Sequence, residues 1–151
     1  MRGYLKEIED LTAYNDAALD PGTPYGDPWQ LIYVFDGDKS TNVVCEGYAK
    51  AFQYLMDQSS FSGKIESYIV TGTMGGGTGE GPHMWNIVSI DGQNYLVDVT
   101  NSDTGTIGAP DKLFLVGNPT IKDGTQYFLD GESTTPMMGT PHRLTRRICF
   151  R

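Results

Sequence analysis

Two apolar runs, HMWNIVSI (83–90) and QNYLVDV (93–99), meet at the dipeptide Asp91-Gly92. A two-residue Asp-Gly between apolar runs is a strong hairpin signal, because a type I′ turn needs positive φ at both central positions. The hairpin commits the middle of the chain to antiparallel sheet and fixes which side chains meet. With Asp91 and Gly92 as the loop, Ile90 pairs with Gln93 and Trp85 faces Asp98. His83 and Trp85 are two apart and share a sheet face. Asp98 falls on that same face, diagonal to His83 at roughly 7–8 Å between Cα atoms. A slip of one residue in register would separate them.

The hairpin therefore predicts a His83–Asp98 pair. A carboxylate inside Tyr-Leu-Val-Asp-Val needs a partner when it leaves water. An imidazole N–H suits it, and the bond fixes the ring tautomer and stabilises the imidazolium. The plainer alternative has Asp98 capping a turn at the strand's end and His83 opening a strand after Pro82.

Helical patterns precede the hairpin. Leu5, Ile8, Leu11, Ala17 and Ala18 lie near helical spacing, so residues 4–19 read as one amphipathic helix with a weak point near Asn15. Asp20-Pro21-Gly22 stops it. Residues 20–43 form a long connection with one short helix at 28–34. Tyr48, Ala49, Phe52, Leu55 and Met56 form the next apolar stripe, opening near Cys45 and ending near Ser59. Residues 65–71 read as a strand and the glycine-rich stretch 72–82 as a loop, either a rim over the site or a plain connection. Further strands are expected at 112–116, 126–129 and 144–150. Helices followed by antiparallel strands give an α+β class, in a single domain over 1–151. Its parts are a helical N-terminal portion (1–43), a core (44–103) and C-terminal strands (104–151).

Composition narrows the function classes. The 151 residues are 38 % hydrophobic and include 19 glycines, a balance that suits a folded domain. The net charge is −8, with 11 basic residues against 19 acidic ones. Nucleic acid and anionic membranes both need phosphate-neutralising cations, so neither is an expected partner. No apolar run is long enough for a membrane span. No signal peptide is recognisable at the start, so the chain reads as cytoplasmic or as a domain of a longer secreted protein. With two cysteines and two histidines, and no CxxC or HExxH, neither a disulfide framework nor a zinc site is expected. No cofactor is implied.

Cys45 is the candidate nucleophile. At the first turn of a helix, orphan N–H groups and the helix dipole favour a thiolate and can support an oxyanion beside it. Gly47, two residues on, leaves the helix mouth uncrowded. The alternative is a buried free cysteine acting as a small hydrophobe. Cys149 fits a buried strand thiol, and Arg143, Arg146, Arg147 and Arg151 fit a solvated strand edge.

The segments VCEGYAKAFQYLMD (44–57) and HMWNIVSIDGQNYLVDVTNSD (83–103) resemble the transglutaminase-like superfamily, in its bacterial protease and transglutaminase domains. The pattern is a Cys opening a helix, His-x-Trp opening a strand and an Asp in the next strand. Weaker matches are Tyr14-Asn15-Asp16, Lys112–Val116 and His142. The resemblance implies a papain-like cysteine-protease fold, with N-terminal helices packed on an antiparallel sheet. It also implies a Cys45–His83–Asp98 triad. Cys45 is then the nucleophile, His83 the base and later the acid, and Asp98 the residue that orients His83. The chemistry is acyl transfer through a thioester, to water or to an amine, on a peptide or protein substrate. Asn101 departs from the family, which often has Trp there.

In such folds the second oxyanion donor is commonly upstream of the nucleophile, which makes Trp29 and Gln30 candidates. Trp85 is a further candidate for lining the site. The opposing reading has Trp29 in the core and Gln30 in solvent. Two functions stay open: a cysteine acyl-transfer enzyme, with protease or amidase favoured over cross-linking, and an inactive binding or scaffold module. The chain has no room for the extra domains of large animal transglutaminases, which favours hydrolysis. The resemblance suggests a secreted or cell-surface bacterial domain.

Overall fold

Asp91 and Gly92 both have positive φ, 51° and 85°, as the hairpin turn requires. The computed structural model describes residues 1–18, 26–75, 81–103, 113–117 and 126–129. Around the turn, strand β2 (Gly81–Ile90) pairs with β3 (Gln93–Val97). The register is the expected one, from Ile90 opposite Gln93 to Asn86 opposite Val97.

Among the described residues the sheet has five strands in the order β4-β3-β2-β1-β5, where β1 is Ile65–Gly75, β4 is Phe114–Val116 and β5 is Gln126–Leu129. Each of these pairings is antiparallel. Three helices precede the strands in the chain: α1 (Arg2–Leu11), α2 (Trp29–Phe35) and α3 (Cys45–Asp57). The class is α+β. Among the described residues, no helix is long and apolar enough to cross a membrane.

Alternation along β2 divides its side chains between two layers. Val88 joins Leu5, Ile8, Val34, Tyr48 and Phe52 in the core beneath the helices. Trp85 and Ile87 join Val70, Leu96, Leu113 and Tyr127 on the opposite face. A third small cluster sets Cys45 and Ala49 against Met84. The Asn86 side chain, on the helix face, donates to the Ala49 carbonyl at 3.0 Å and ties α3 to the sheet.

Four expectations need correction. The first helix ends at Leu11, and Thr12 is already extended (φ −132°, ψ 172°). The chain turns there so that the Asn15 N–H reaches the Val43 carbonyl at 2.9 Å, and Asp16–Ala18 form only a 3₁₀ turn. Second, residues 72–75 and 81–82 are strand, although they belong to the glycine-rich stretch read as loop. Gly72 pairs with His83 on one side and Leu129 on the other, and two-sided pairing overrides the weak strand preference of glycine. Third, β3 stops at Val97, and residues Val99–Ser102 form a short helix, α4. Asp98 therefore stands at a strand's end and not within it. Fourth, Gly47 does not open a gap. A Cβ there would lie 2.7 Å from Val43 Cγ1 and 3.0 Å from the Gln30 carbonyl oxygen.

The short helix at 28–34 and the helix from Cys45 are found with ends moved by one or two residues. The expected helix stop at 20–22, the rim at 76–80 and the strand at 144–150 lie outside the described residues, as do Lys112, His142, Cys149 and the C-terminal arginines.

Candidate active site

The early end of β3 builds the site. Beyond Val97, β2 continues from Trp85 back to Gly81 with β3 no longer beside it. Asp98 and α4 occupy that place, held by the Asp98 N–H on the Leu113 carbonyl at 2.9 Å. Asp98 is the N-cap of α4, its Oδ1 accepting from the Asn101 N–H at 3.2 Å. Both sequence readings of Asp98 thus hold together, because the residue that caps the turn is also the partner of His83.

His83 Nε2 bonds Asp98 Oδ2 at 2.7 Å, and both side chains are buried. The same oxygen accepts from Asn101 Nδ2 and from the Tyr127 hydroxyl, each at 2.7 Å. Three donors converging on one buried oxygen offset its desolvation and favour the ionised form. Burial alone raises the Asp98 carboxyl, yet His83, Asn101 and Tyr127 overcome it and hold it below the usual carboxylate range. Burial and the adjacent Asp98 charge raise the Tyr127 phenol, which keeps it protonated and a donor.

For His83, burial opposes the charged ring, but Asp98 and then Cys45 outweigh it and raise the imidazole to about 10. Cys45 lies close enough to the ring to favour its charged form. Nε2 is committed to Asp98. The three residues singled out from sequence therefore stand in one chain of contacts, Cys45 to His83 to Asp98.

Cys45 is the first residue of α3, and the N-cap Val44 offers no side-chain cap. The free donors of that turn find partners elsewhere. The Val44 N–H bonds Gln30 Oε1 at 3.0 Å, and the Cys45 N–H faces the Tyr14 phenol. Gln30 also donates to the Asn42 carbonyl at 2.6 Å. It is buried and braces the approach to Cys45, a correction to the reading that put it in solvent.

Trp29 is 56 % exposed, not in the core. It makes neither a hydrogen bond nor a ring contact with Cys45, His83 or Asp98. Trp85 is 1 % exposed and stacks on His83, with ring centroids 5.9 Å apart and planes 17° from parallel. It meets Tyr127 edge-on at 5.1 Å. It backs the imidazole from inside the core, so an indole turned toward solvent is not what lines this site. Its Nε1 is buried without a hydrogen-bond partner among the described residues.

Sequence reading missed Tyr127, Asn101 and the Tyr14 contact. Asn101 carried a signal, since Asp-x-x-Asn is the spacing of an N-cap and the N–H it accepts from. Its side chain also meets Met74 Sδ at 3.3 Å, filling a place where the family resemblance leads one to expect Trp. Tyr127 carried none, because only the strand order brings β5 near β2. No protein-family model matches the chain, and no curated protein sequence does. Among the described residues, no group of three or more His, Cys, Asp and Glu is arranged to hold a metal ion.

Proposed function

We propose that the chain is a cysteine-dependent acyl-transfer enzyme of papain-like fold, acting on peptide or isopeptide amides. Cys45 is the nucleophile, His83 the base and acid, and Asp98 the group that orients and charges His83. The observation that carries this reading is the buried His83–Asp98 bond, with Cys45 near enough to act on the ring. A carboxylate with this many donors is costly to assemble for packing alone.

The proposed step is acyl transfer to sulfur. Cys45 Sγ attacks the amide carbon, and the imidazolium gives its proton to the leaving amine. A thioester remains on Cys45. Neutral His83 then takes a proton from the incoming water, and the thioester is hydrolysed. Hydrolysis is the fate we assign, and transfer to an amine the competing one.

The test is the iodoacetamide alkylation rate of Cys45 at pH 6 in a Cys149→Ala background, with and without His83→Ala. The wild-type site is expected to react at least about ten-fold faster than His83→Ala, because the imidazole beside Cys45 assists attack by the sulfur. Equal rates would mean that the three residues do not act together. An intact-mass search for acyl-Cys45 with peptide amides then separates an enzyme from a module that only binds.

A further inference from the structure

Tyr14 lies over the nucleophile without belonging to its element. It follows α1, and its neighbour Asn15 is stapled to the chain just ahead of Cys45. The Asn15 N–H bonds the Val43 carbonyl at 2.9 Å, and its amide bonds Asn42 Oδ1 at 3.0 Å. The Tyr14 ring packs on the Cys45–Ala49–Met84 cluster and against Tyr48, with centroids 6.3 Å apart. Its phenol lies on the side of the Cys45 N–H. That N–H, at the first turn of a thirteen-residue helix, is the donor nearest to any oxyanion formed by attack of Cys45.

We infer that Tyr14 is a catalytic residue and supplies the second oxyanion donor of the acyl-transfer site. This rests on the function proposed above. In the resting site the phenol faces the Cys45 N–H. A substrate carbonyl oxygen entering between them takes that N–H and receives the phenol O–H as a second donor. Burial, followed by the nearby charges of Cys45, Asp16 and Asp98, raises the Tyr14 phenol, so it remains a donor throughout the neutral range. Tyr14 is only half-buried, so a carbonyl can reach it. Gln30 is engaged with residues 42 and 44, and Trp29 has no bond or ring contact with the triad.

The experiment compares two reactions of Cys45 in a Cys149→Ala background. Alkylation by iodoacetamide forms a bond to carbon without an oxyanion. Acylation by 4-nitrophenyl acetate does form one. Cys45 Sγ bonds the acetyl carbon, the carbonyl electron pair moves onto oxygen, and its return expels 4-nitrophenolate to leave S-acetyl Cys45. Tyr14→Phe keeps the ring and removes the donor. Its alkylation rate is expected to stay within about two-fold of wild type, while acylation falls about 10–100-fold.

Unchanged acylation in Tyr14→Phe would overturn the assignment. Faster acylation would make the phenol a plug on the Cys45 N–H and would also overturn it. An equal fall in both reactions would make Tyr14 a positioning residue for the thiol, again against the assignment. The alkylation rate on the same preparation shows whether the site has folded. Should wild-type Cys45 form no acetyl adduct and alkylate no faster than His83→Ala, the proposed function falls and Tyr14 with it. A wild-type enzyme that acylates, beside a Tyr14→Phe that does so equally, removes Tyr14 alone.

Discussion

The Tyr127 hydroxyl and His83 Nε2 share one acceptor, Asp98 Oδ2, each at 2.7 Å. The two donors come from β5 and β2, which are not neighbours in the sheet, since β1 lies between them. Asp98 therefore ties together three segments distant in sequence. Its carboxylate is matched to the imidazolium and is also held by the Tyr127 hydroxyl. That arrangement holds the negative charge beside the ring.

Tyr127→Phe tests this directly. The ring packing on Trp85 and His83 survives, and only the donor to Asp98 is lost. A charged acceptor short of one buried bond costs about 1–3 kcal/mol. Urea unfolding is expected to show that loss, with the slope of the transition unchanged. A change below about 0.5 kcal/mol, the range of ordinary surface substitutions, would show that the hydroxyl is not needed by the carboxylate.

Much of this site is legible in the amino-acid sequence. The Asp-Gly turn sets the β2–β3 register, and the register puts His83 and Asp98 on one face. Cys45 is legible from the apolar stripe that follows it, because a helix must begin a few residues before its first core residue. Other parts depend on long-range order. The strand at 72–75 is written largely in glycine and threonine and becomes visible only when β2 and β5 flank it. Trp29 and Gln30 exchange their expected burial, because one turn of a short helix decides which side chain faces α3. Tyr127 reaches Asp98 only through the strand order, which no local pattern encodes.

The pH dependence of stability follows from the buried pair. His83 is raised above its ordinary 6.5 to about 10. Its contribution is full below 6.5 and is lost as pH rises through about 10. Asp98 is lowered below its ordinary 3.8, so its contribution is full above 3.8 and is lost as pH falls through its folded value. The urea midpoint is therefore expected to be highest between about pH 4 and 6.5 and to fall on both sides. Asp98→Asn removes the charge that raises the imidazole. Burial then acts unopposed by that carboxylate, and the His83 ring titrates well below its wild-type value in an NMR titration. The alkaline fall in stability between about pH 6.5 and 10 flattens in the same variant. An unchanged His83 titration would contradict the pairing.

Gly47→Ala probes how Cys45 is seated. Alanine is the better helix former by about 1 kcal/mol, which alone would stabilise α3. Against that, the new Cβ would stand 2.7 Å from Val43 Cγ1 and 3.0 Å from the backbone oxygen of Gln30. Backbone at that distance cannot step aside without moving α2 off α3. Overpacking of this kind costs about 1–3 kcal/mol. The variant is expected to unfold at lower urea and to alkylate Cys45 more slowly at pH 6, because Val43 and Gln30 flank the turn that carries it. A variant more stable than wild type would mean that α2 yields easily and that the close approach is not a constraint.

Trp29→Ala separates the two upstream candidates from the one found in space. Trp29 is exposed, and its backbone N–H, bonded to Asp27 Oδ1 at 2.9 Å, is untouched by the substitution. Stability is expected to stay within about 0.5 kcal/mol of wild type, as for surface positions generally. The rate of Cys45 acylation by 4-nitrophenyl acetate is expected to match wild type, because no bond joins the indole to the reacting groups. A fall of ten-fold or more with alkylation unchanged would identify the indole N–H as an oxyanion donor that swings in when substrate binds. The acylation rates of Trp29→Ala and Tyr14→Phe, measured side by side, therefore decide which side chain faces the developing charge.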